Sequence, residues 1–126
     1  MQKTLKSVNP DIHFKVLYIL EENPNITQRE LAKKLGISLG AVNFILKALV
    51  EIGHVKINNF KKNSTKSSYL YLLTPKGFAQ KAILATSFLR RKITEYKALK
   101  AEIERIKLKI KHHTNTFAFK HIDNGN

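Results

Sequence analysis

The chain has 126 residues and a mass of 14.4 kDa, which fits one small domain with an appendage, and 43% of its residues are hydrophobic. Its formal net charge is +14 at pH 7, so nucleic acid is the expected partner, ahead of an anionic membrane surface. The absence of cysteine excludes disulfides and thiolate catalysis. With no signal-peptide pattern and no membrane-spanning apolar run, we expect a cytoplasmic protein without membrane association.

The first predicted helix begins after Asn9, whose side chain suits the N-cap position. Pro10 and Asp11 follow it, and both residue types are favoured in the first turn of a helix. The Asn-Pro-Asn run at 23–25 predicts the end of this helix. Its predicted buried stripe consists of Ile12, Val16, Leu17, Ile19 and Leu20.

A helix, a glycine turn and another helix are predicted over residues 27–52. Thr27 and Glu30 have the spacing of a capping box, which predicts the start of a short second helix. Gly36 suits the left-handed position that closes this helix, and Ser38 suits the N-cap of the third. The predicted inward residues are Leu31, Ala32 and Leu35 in the second helix and Val42, Ile45, Leu46, Leu49 and Ile52 in the third. This order predicts a helix-turn-helix.

Two segments of alternating polarity, 54–58 and 68–73, predict a β-hairpin after the third helix. Residues 60–67 between them lack apolar periodicity, which predicts a flexible basic loop. Its lysines are Lys61, Lys62 and Lys66. No acidic residue lies between positions 51 and 95, so every charged residue of the hairpin is basic. A helix-turn-helix followed by a basic hairpin is typical of a winged helix-turn-helix, which binds DNA.

The third helix carries the predicted base-reading face, opposite its buried stripe. This face consists of Ser38, Leu39, Gly40, Asn43, Phe44 and Lys47. Asn43 can offer a donor and an acceptor to an adenine edge, and Lys47 can reach a guanine or a phosphate. Gly40 allows close approach of the backbone. Phe44 has two open interpretations, contact with a thymine methyl group or packing against the wing or the first helix.

Residues outside the third helix complete the predicted DNA-binding set. They are Thr27 and Gln28 at the start of the second helix and Lys61, Lys62, Asn63 and Lys66 in the wing. Lysines that contact phosphates contribute affinity and salt dependence rather than a choice of sequence.

Three segments resemble the MarR family of bacterial transcriptional regulators, and the resemblance extends over about residues 12–110. They are TQRELAKKLGIS at 27–38, AVNFILKALVEIGHV at 41–55 and LTPKG at 73–77. The SLG, VNF and NNF triplets and the YLYLLTPKG run resemble the branch of that family associated with exopolysaccharide gene clusters. The resemblance implies a DNA-binding regulator of exopolysaccharide biosynthesis genes.

Two features depart from the family pattern. The wing has Lys-Lys-Asn-Ser at 61–64 where the family usually has an Asp-x-Arg-Arg element, so the arginine contact to the minor groove is not carried over. Many members of the family build the dimer and a ligand pocket from helices at both ends of the chain. This chain has a single helix after the wing and a short N-terminus, so a phenolic ligand site is not carried over either.

The last predicted helix begins after Thr74-Pro75, runs to about Lys111 and has a heptad pattern. Leu89, Tyr96, Ile103 and Ile110 occupy position a, and Leu99 and Ile106 occupy position d, where Lys92 is the only polar residue. Glu95 and Glu102 at g face Lys100 and Lys107 at e only if two helices pair in parallel. This predicts a parallel homodimer and a palindromic operator with half-sites about 10 base pairs apart or a multiple of that. Packing of the stripe on its own domain is the alternative.

The predicted fold is mainly α with a small β-hairpin (α+β). It has a winged helix-turn-helix over 9–75, a long coiled-coil-like dimerisation helix over 76–111 and a disordered tail over 112–126. No constellation predicts catalysis, a cofactor or a metal site, so an enzyme is not expected. The predicted function is a sequence-specific, double-stranded DNA-binding transcriptional regulator that acts as a homodimer. The alternative is a winged-helix module that binds RNA or a protein partner.

Overall fold

The computed structural model of the protein describes residues 8–62 and 66–113, without the side chains of 60–62 and 66–68. The elements are α1 (Pro10–Glu22), α2 (Gln28–Leu35), α3 (Leu39–Glu51), β1 (Val55–Lys62), β2 (Lys66–Leu73) and α4 (Pro75–His113). The predicted mainly α fold, with a hairpin after the helix-turn-helix and a long C-terminal helix, is confirmed. The chain divides into two compact units, Met1–Phe88 and Leu89–Asn126.

Local hydrogen bonds set the ends of α2 and α3 at the predicted residues. The Thr27 hydroxyl accepts from the amide of Glu30, whose carboxylate accepts from the amide of Thr27, both at 3.0 Å. Gly36 ends α2 in the left-handed conformation with φ of 69°, which glycine adopts at little cost. The Ser38 hydroxyl accepts from the amide of Ala41 at 3.0 Å and caps α3. These short-range contacts fix the turn between the two helices.

The hydrophobic core lies in the first unit, where the inner faces of α1, α2 and α3 meet the start of the hairpin. Its most buried large side chains are Val16, Leu17, Leu20, Leu31, Val42, Leu49 and Val55. The predicted stripes therefore point inward, although Ile12, Ile19, Leu35 and Ile52 are only partly buried. Within α1, α2 and α3, two further buried residues were not predicted, because Ala48 is small and His13 is polar.

The hairpin is longer than predicted. β1 and β2 pair antiparallel from Val55 opposite Leu73 to Lys62 opposite Lys66. The prediction of a loop over 60–67 is therefore wrong, because its two ends belong to the strands. An antiparallel ladder is held by backbone hydrogen bonds and needs no apolar alternation where it extends beyond the core. Residues 63–65 lie outside the described residues.

The start of α4 is fixed against the turn that follows α3. The Thr74 hydroxyl accepts from the amide of Gly77 at 3.0 Å and donates to the carbonyl of Gly53 at 2.5 Å. The ammonium group of Lys76 donates to the carbonyl of Ile52 at 3.2 Å. The helix continues to His113, two residues beyond the predicted end, and residues 114–126 of the predicted tail lie outside the described residues.

Gly77 allows α4 to approach the backbone before β1. A Cβ atom at this position would lie 2.1 Å from the carbonyl oxygen of His54, far inside van der Waals contact. We expect Gly77→Ala to lower the free energy of unfolding by about 1–3 kcal/mol, because the clash is with backbone that must shift. Urea unfolding followed by circular dichroism measures it.

Gly40→Ala is the matched control for Gly77→Ala. Gly40 also lies in a helix, but a Cβ there would meet no atom closer than 4.0 Å. We expect this variant to be more stable than the parent chain by about 0.5–1 kcal/mol, because alanine favours the helix. Equal stability changes in the two variants would contradict the role of close approach at Gly77.

Candidate nucleic-acid interface

α3 exposes the face that was predicted to read DNA. Leu39 and Phe44 have 41% and 49% of their surface exposed, although both are large and apolar. Ser38, Gly40, Asn43 and Lys47 are also exposed. The opposite face of the same helix is buried in the core, so α3 is held rigidly while this face is left open.

Phe44 lies on the α1 side of the exposed face. Together with Val8, Ile12 and Ile37 it lines a shallow apolar cleft of about 230 Å³ beside the start of α1. Phe44 thus lies beside α1 and is not among the residues that line the cleft next to the wing. Phe44 contributes to the cleft near α1 and still presents half of its surface to solvent.

A larger cleft separates the C-terminal half of α3 from the hairpin. It has a volume of about 530 Å³ and is lined by Gln28, Asn43, Leu46, Lys47, Val50, Glu51, Ile57, Tyr69 and Tyr71. Ile57 and Tyr69 are half-exposed at its outer edge. The cleft brings residues of α2, α3, β1 and β2 together next to the base-reading face.

Thr27 and Gln28, both predicted to contact DNA, have different surroundings. The side chain of Thr27 belongs to the capping box of α2. Gln28 points towards α3, where its Oε1 accepts from Nδ2 of Asn43 at 3.4 Å. Its Nε2 donates to the hydroxyl of Tyr71 at 3.1 Å. Tyr71 was not predicted to belong to this surface, because its alternation with Tyr69 along β2 is its only local signal.

The basic residues of the wing lie at the far end of the hairpin. The backbones of Lys61, Lys62 and Lys66 belong to the last pairs of the ladder. Their side chains and the whole of Asn63 lie outside the described residues. Exposed basic side chains also lie on α2, α3 and β1: Arg29, Lys33, Lys34, Lys47 and Lys56.

Two buried histidines join α1 to the residue before β1, and this pair was not predicted. Nε2 of His13 and Nδ1 of His54 lie 3.3 Å apart, and the rings are stacked. Burial, and secondly the neighbouring His54, lowers the pKa of His13 to about 4. Burial, and secondly Lys76, lowers the pKa of His54. The pair is therefore neutral at pH 7 and can share one hydrogen bond.

This pair predicts a loss of stability in acid. The unfolded chain binds a proton at His13 near pH 6.5, whereas the folded chain binds it only near pH 4. The stabilisation is complete above pH 6.5 and is lost as the pH falls towards about 4, by up to about 3 kcal/mol for His13. Urea unfolding at pH 7.5 and pH 4.5 measures the difference.

His13→Gln tests the assignment, because the amide does not titrate. We expect its unfolding free energy to fall less between the two pH values than that of the parent chain. His112→Gln, which removes an exposed histidine, is the control and should retain the full dependence. If His13→Gln and His112→Gln lost the same free energy in acid, the buried pair would not be its source.

Two further findings concern the described residues alone. Within 8–62 and 66–113, no three histidine, aspartate or glutamate side chains gather closely enough to hold a metal ion. None of the helices in the same ranges has the length and apolarity that crossing a bilayer requires.

Part of the first unit matches a known protein family. Residues 10–56 match the family of winged helix-turn-helix DNA-binding domains. A comparison with curated protein sequences finds no match. The match covers α1, α2, α3 and the first residues of β1, in agreement with the winged helix-turn-helix fold of the structure.

Several solved structures have a similar fold. A glutamate-to-alanine mutant of ZitR from Lactococcus lactis is 27% identical over 84% of this chain and 73% of that chain, with a TM-score of 0.58. A cysteine-to-serine mutant of MarR from E. coli is 28% identical over 75% and 74%, with a TM-score of 0.51. The MarR family protein Rv2887 of Mycobacterium tuberculosis, in complex with salicylic acid, is 21% identical over 75% of each chain, with a TM-score of 0.51. The chain has the fold of MarR-type regulators.

Proposed function

We propose that the protein is a MarR-type transcriptional regulator that binds a palindromic operator in double-stranded DNA as a homodimer. The observation that carries the proposal is α3, which buries one face in the core and exposes the other beside a basic hairpin. The major groove of B-form DNA is wide enough to admit an α-helix. In the proposed complex the N-terminal half of α3 enters the major groove and the hairpin contacts the neighbouring phosphates.

Base reading is assigned to Asn43 and Lys47, with apolar contacts from Leu39 and Phe44. An asparagine amide pairs with adenine through one donor and one acceptor, and a lysine ammonium donates to guanine. The exposed carbon surface of Leu39 and Phe44 suits the methyl group of thymine. Ser38 and Gly40 lie at the start of α3, where backbone amides can donate to a phosphate.

Affinity is assigned mainly to charge. The formal net charge of +14 attracts the phosphate backbone of any DNA, and each neutralised phosphate releases counterions. The lysines of the wing and the exposed bases of α2 supply this attraction without choosing a sequence.

Dimerisation is assigned to the apolar stripe of the second unit. Leu89, Tyr96 and Leu99 are 59%, 63% and 56% exposed, and Ile103 and Ile106 are 46% and 50% exposed. A continuous apolar stripe of this kind on a soluble helix is normally covered by a partner. The charges that flank it, Glu102 and Lys107 among them, favour a parallel pair of identical helices.

Selection from genomic DNA tests the proposal. Purified protein is incubated with sheared genomic DNA at physiological salt, and the retained fragments are sequenced. We expect an enriched palindrome whose half-sites are about 10 base pairs apart or a multiple of that. Uniform retention that disappears as salt is raised would contradict sequence reading, and tighter retention of RNA competitor would favour the alternative of an RNA-binding winged helix.

The regulated genes are proposed from the resemblance to the exopolysaccharide-associated branch. The triplets that carry this resemblance lie in α3 and β1, within the proposed interface. We expect recovered operators to lie beside genes for polysaccharide synthesis and export. Operators beside genes of unrelated function would reject this assignment and leave DNA binding intact.

A further inference from the structure

A chain of hydrogen bonds connects β2 to the base-reading face of α3. It begins at Tyr71, which is 6% exposed and whose backbone amide donates to the carbonyl of Pro24 at 3.0 Å. The hydroxyl of Tyr71 accepts from Nε2 of Gln28 at 3.1 Å, and Oε1 of Gln28 accepts from Nδ2 of Asn43 at 3.4 Å. The buried side chain of Tyr71 is thus linked through the partly buried amide of Gln28 to the exposed amide of Asn43.

We infer that Tyr71 and Gln28 are positioning residues that orient the side-chain amide of Asn43 for base reading. The inference rests on the proposed role of α3 as the DNA-reading helix. Nδ2 of the exposed Asn43 uses one hydrogen on Gln28, so its second N–H and Oδ1 remain available to a base edge. Adenine offers the complementary pair in the major groove, an acceptor at N7 and a donor at N6.

The direction of the hydrogen bonds determines which base is preferred. If the amide of Asn43 rotated by half a turn, its donor and acceptor would exchange places and no longer match adenine in the same docking position. Gln28 opposes this rotation, because its oxygen can accept only from the nitrogen of Asn43. Tyr71 in turn holds Gln28 in place, since the tyrosine ring is packed in the core and cannot move when DNA binds. Orientation before binding lowers the ordering cost of the contact.

A direct contact of Gln28 with DNA would give a different pattern. In that case the amide of Gln28 would leave Tyr71 on binding, and the hydroxyl of Tyr71 would have no effect on base choice. Tyr71→Phe separates the two possibilities, because it removes only the buried hydroxyl. Gln28→Glu is a second test of the positioning role against direct contact, since a carboxylate still accepts from both Tyr71 and Asn43.

The experiment measures binding of the full chain to the selected operator and to all single-base variants of one half-site. The proteins compared are the parent chain, Asn43→Ala, Tyr71→Phe, Gln28→Leu and Gln28→Glu. Asn43→Ala is expected to abolish the preference for adenine at one base pair. Tyr71→Phe and Gln28→Leu are expected to reduce the preference at that same base pair by about 3- to 10-fold, the range for freeing one ordered side chain. Gln28→Glu keeps the acceptor for Asn43 and is expected to lose less of this preference than Gln28→Leu.

The outcomes distinguish this inference from the proposed function. A parent chain without any base preference would overturn both. A parent chain that reads adenine through Asn43, while Tyr71→Phe keeps the full preference, would overturn the positioning role alone. If Asn43→Ala leaves every preference unchanged, both the positioning role and the assignment of base reading to Asn43 are overturned, while DNA binding by α3 is not. Gln28 is only partly buried, so Gln28→Leu tests the inference even if the loss of the Tyr71 hydroxyl impaired folding.

Discussion

Replacing Leu99 and Ile106 with aspartate is expected to convert a dimer into monomers and to weaken operator binding by about 10²- to 10⁴-fold. Both side chains occupy position d of the heptad and are at least half-exposed in the single chain. In a paired coiled coil they would face each other, so each aspartate would bury an uncompensated charge. A monomer then engages one half-site at a time and loses the gain from linked binding.

Leu108→Asp provides the matched control. Leu108 lies on the same helix and is 58% exposed, but it occupies position f, on the side away from the stripe. Sedimentation equilibrium measures the mass of each variant against the 14.4 kDa of one chain, and fluorescence anisotropy measures operator binding. We expect the control to remain a dimer with parental affinity. A dimer that survives both aspartates at position d would assign the interface to another surface.

Charge exchange tests the parallel arrangement separately. In a parallel pair, Glu102→Lys places lysine opposite Lys107 of the other helix and should weaken dimerisation. The double change Glu102→Lys with Lys107→Glu restores opposite charges across the interface and should recover it. Failure of the double variant to recover would favour an antiparallel pair, in which these two positions do not meet.

The helix boundaries could be predicted from sequence because they depend on contacts between residues close in the chain. Asn9 caps α1 through the amides of Asp11 and Ile12, two and three residues away. The capping box of α2 spans three residues, and Gly36 needs only its own left-handed conformation. Residue types alone decide such contacts, so their spacing in sequence is sufficient.

The features that sequence could not predict depend on residues far apart in the chain. His13 and His54 are 41 positions apart, and Gln28 and Tyr71 are 43 apart. Neither pair leaves a pattern among neighbouring residues of the sequence, because each partner alone is an ordinary polar residue. The length of the hairpin was missed for a related reason, since backbone pairing between Lys62 and Lys66 leaves no trace in side-chain alternation. The exposed face of α3 could be predicted only because the buried stripe opposite to it is periodic, and its role in base reading stays a prediction.

Replacing Lys61, Lys62 and Lys66 with alanine is expected to reduce the salt dependence of DNA binding more than any change on α3. Each phosphate contact contributes about 0.9 to the slope of log affinity against log salt. A dimer with two wings would lose up to six contacts, so the slope would fall by about 5. Between 50 and 200 mM salt the parent chain should then lose on the order of 10³-fold more affinity than the variant.

A second triple variant shows whether position or total charge causes the effect. Lys97, Arg105 and Lys111 are exposed bases at outer heptad positions of α4, and their replacement by alanine removes the same charge from each chain. Because these residues lie outside the winged domain, we expect their loss to change the slope by less than about 1. The wing variant should also keep the base preference of the parent chain, since phosphate contacts do not choose sequence. Equal slopes for the two triple variants would mean that the net charge of +14 attracts DNA regardless of its position on the chain. The proposed phosphate contacts of the wing would then be rejected.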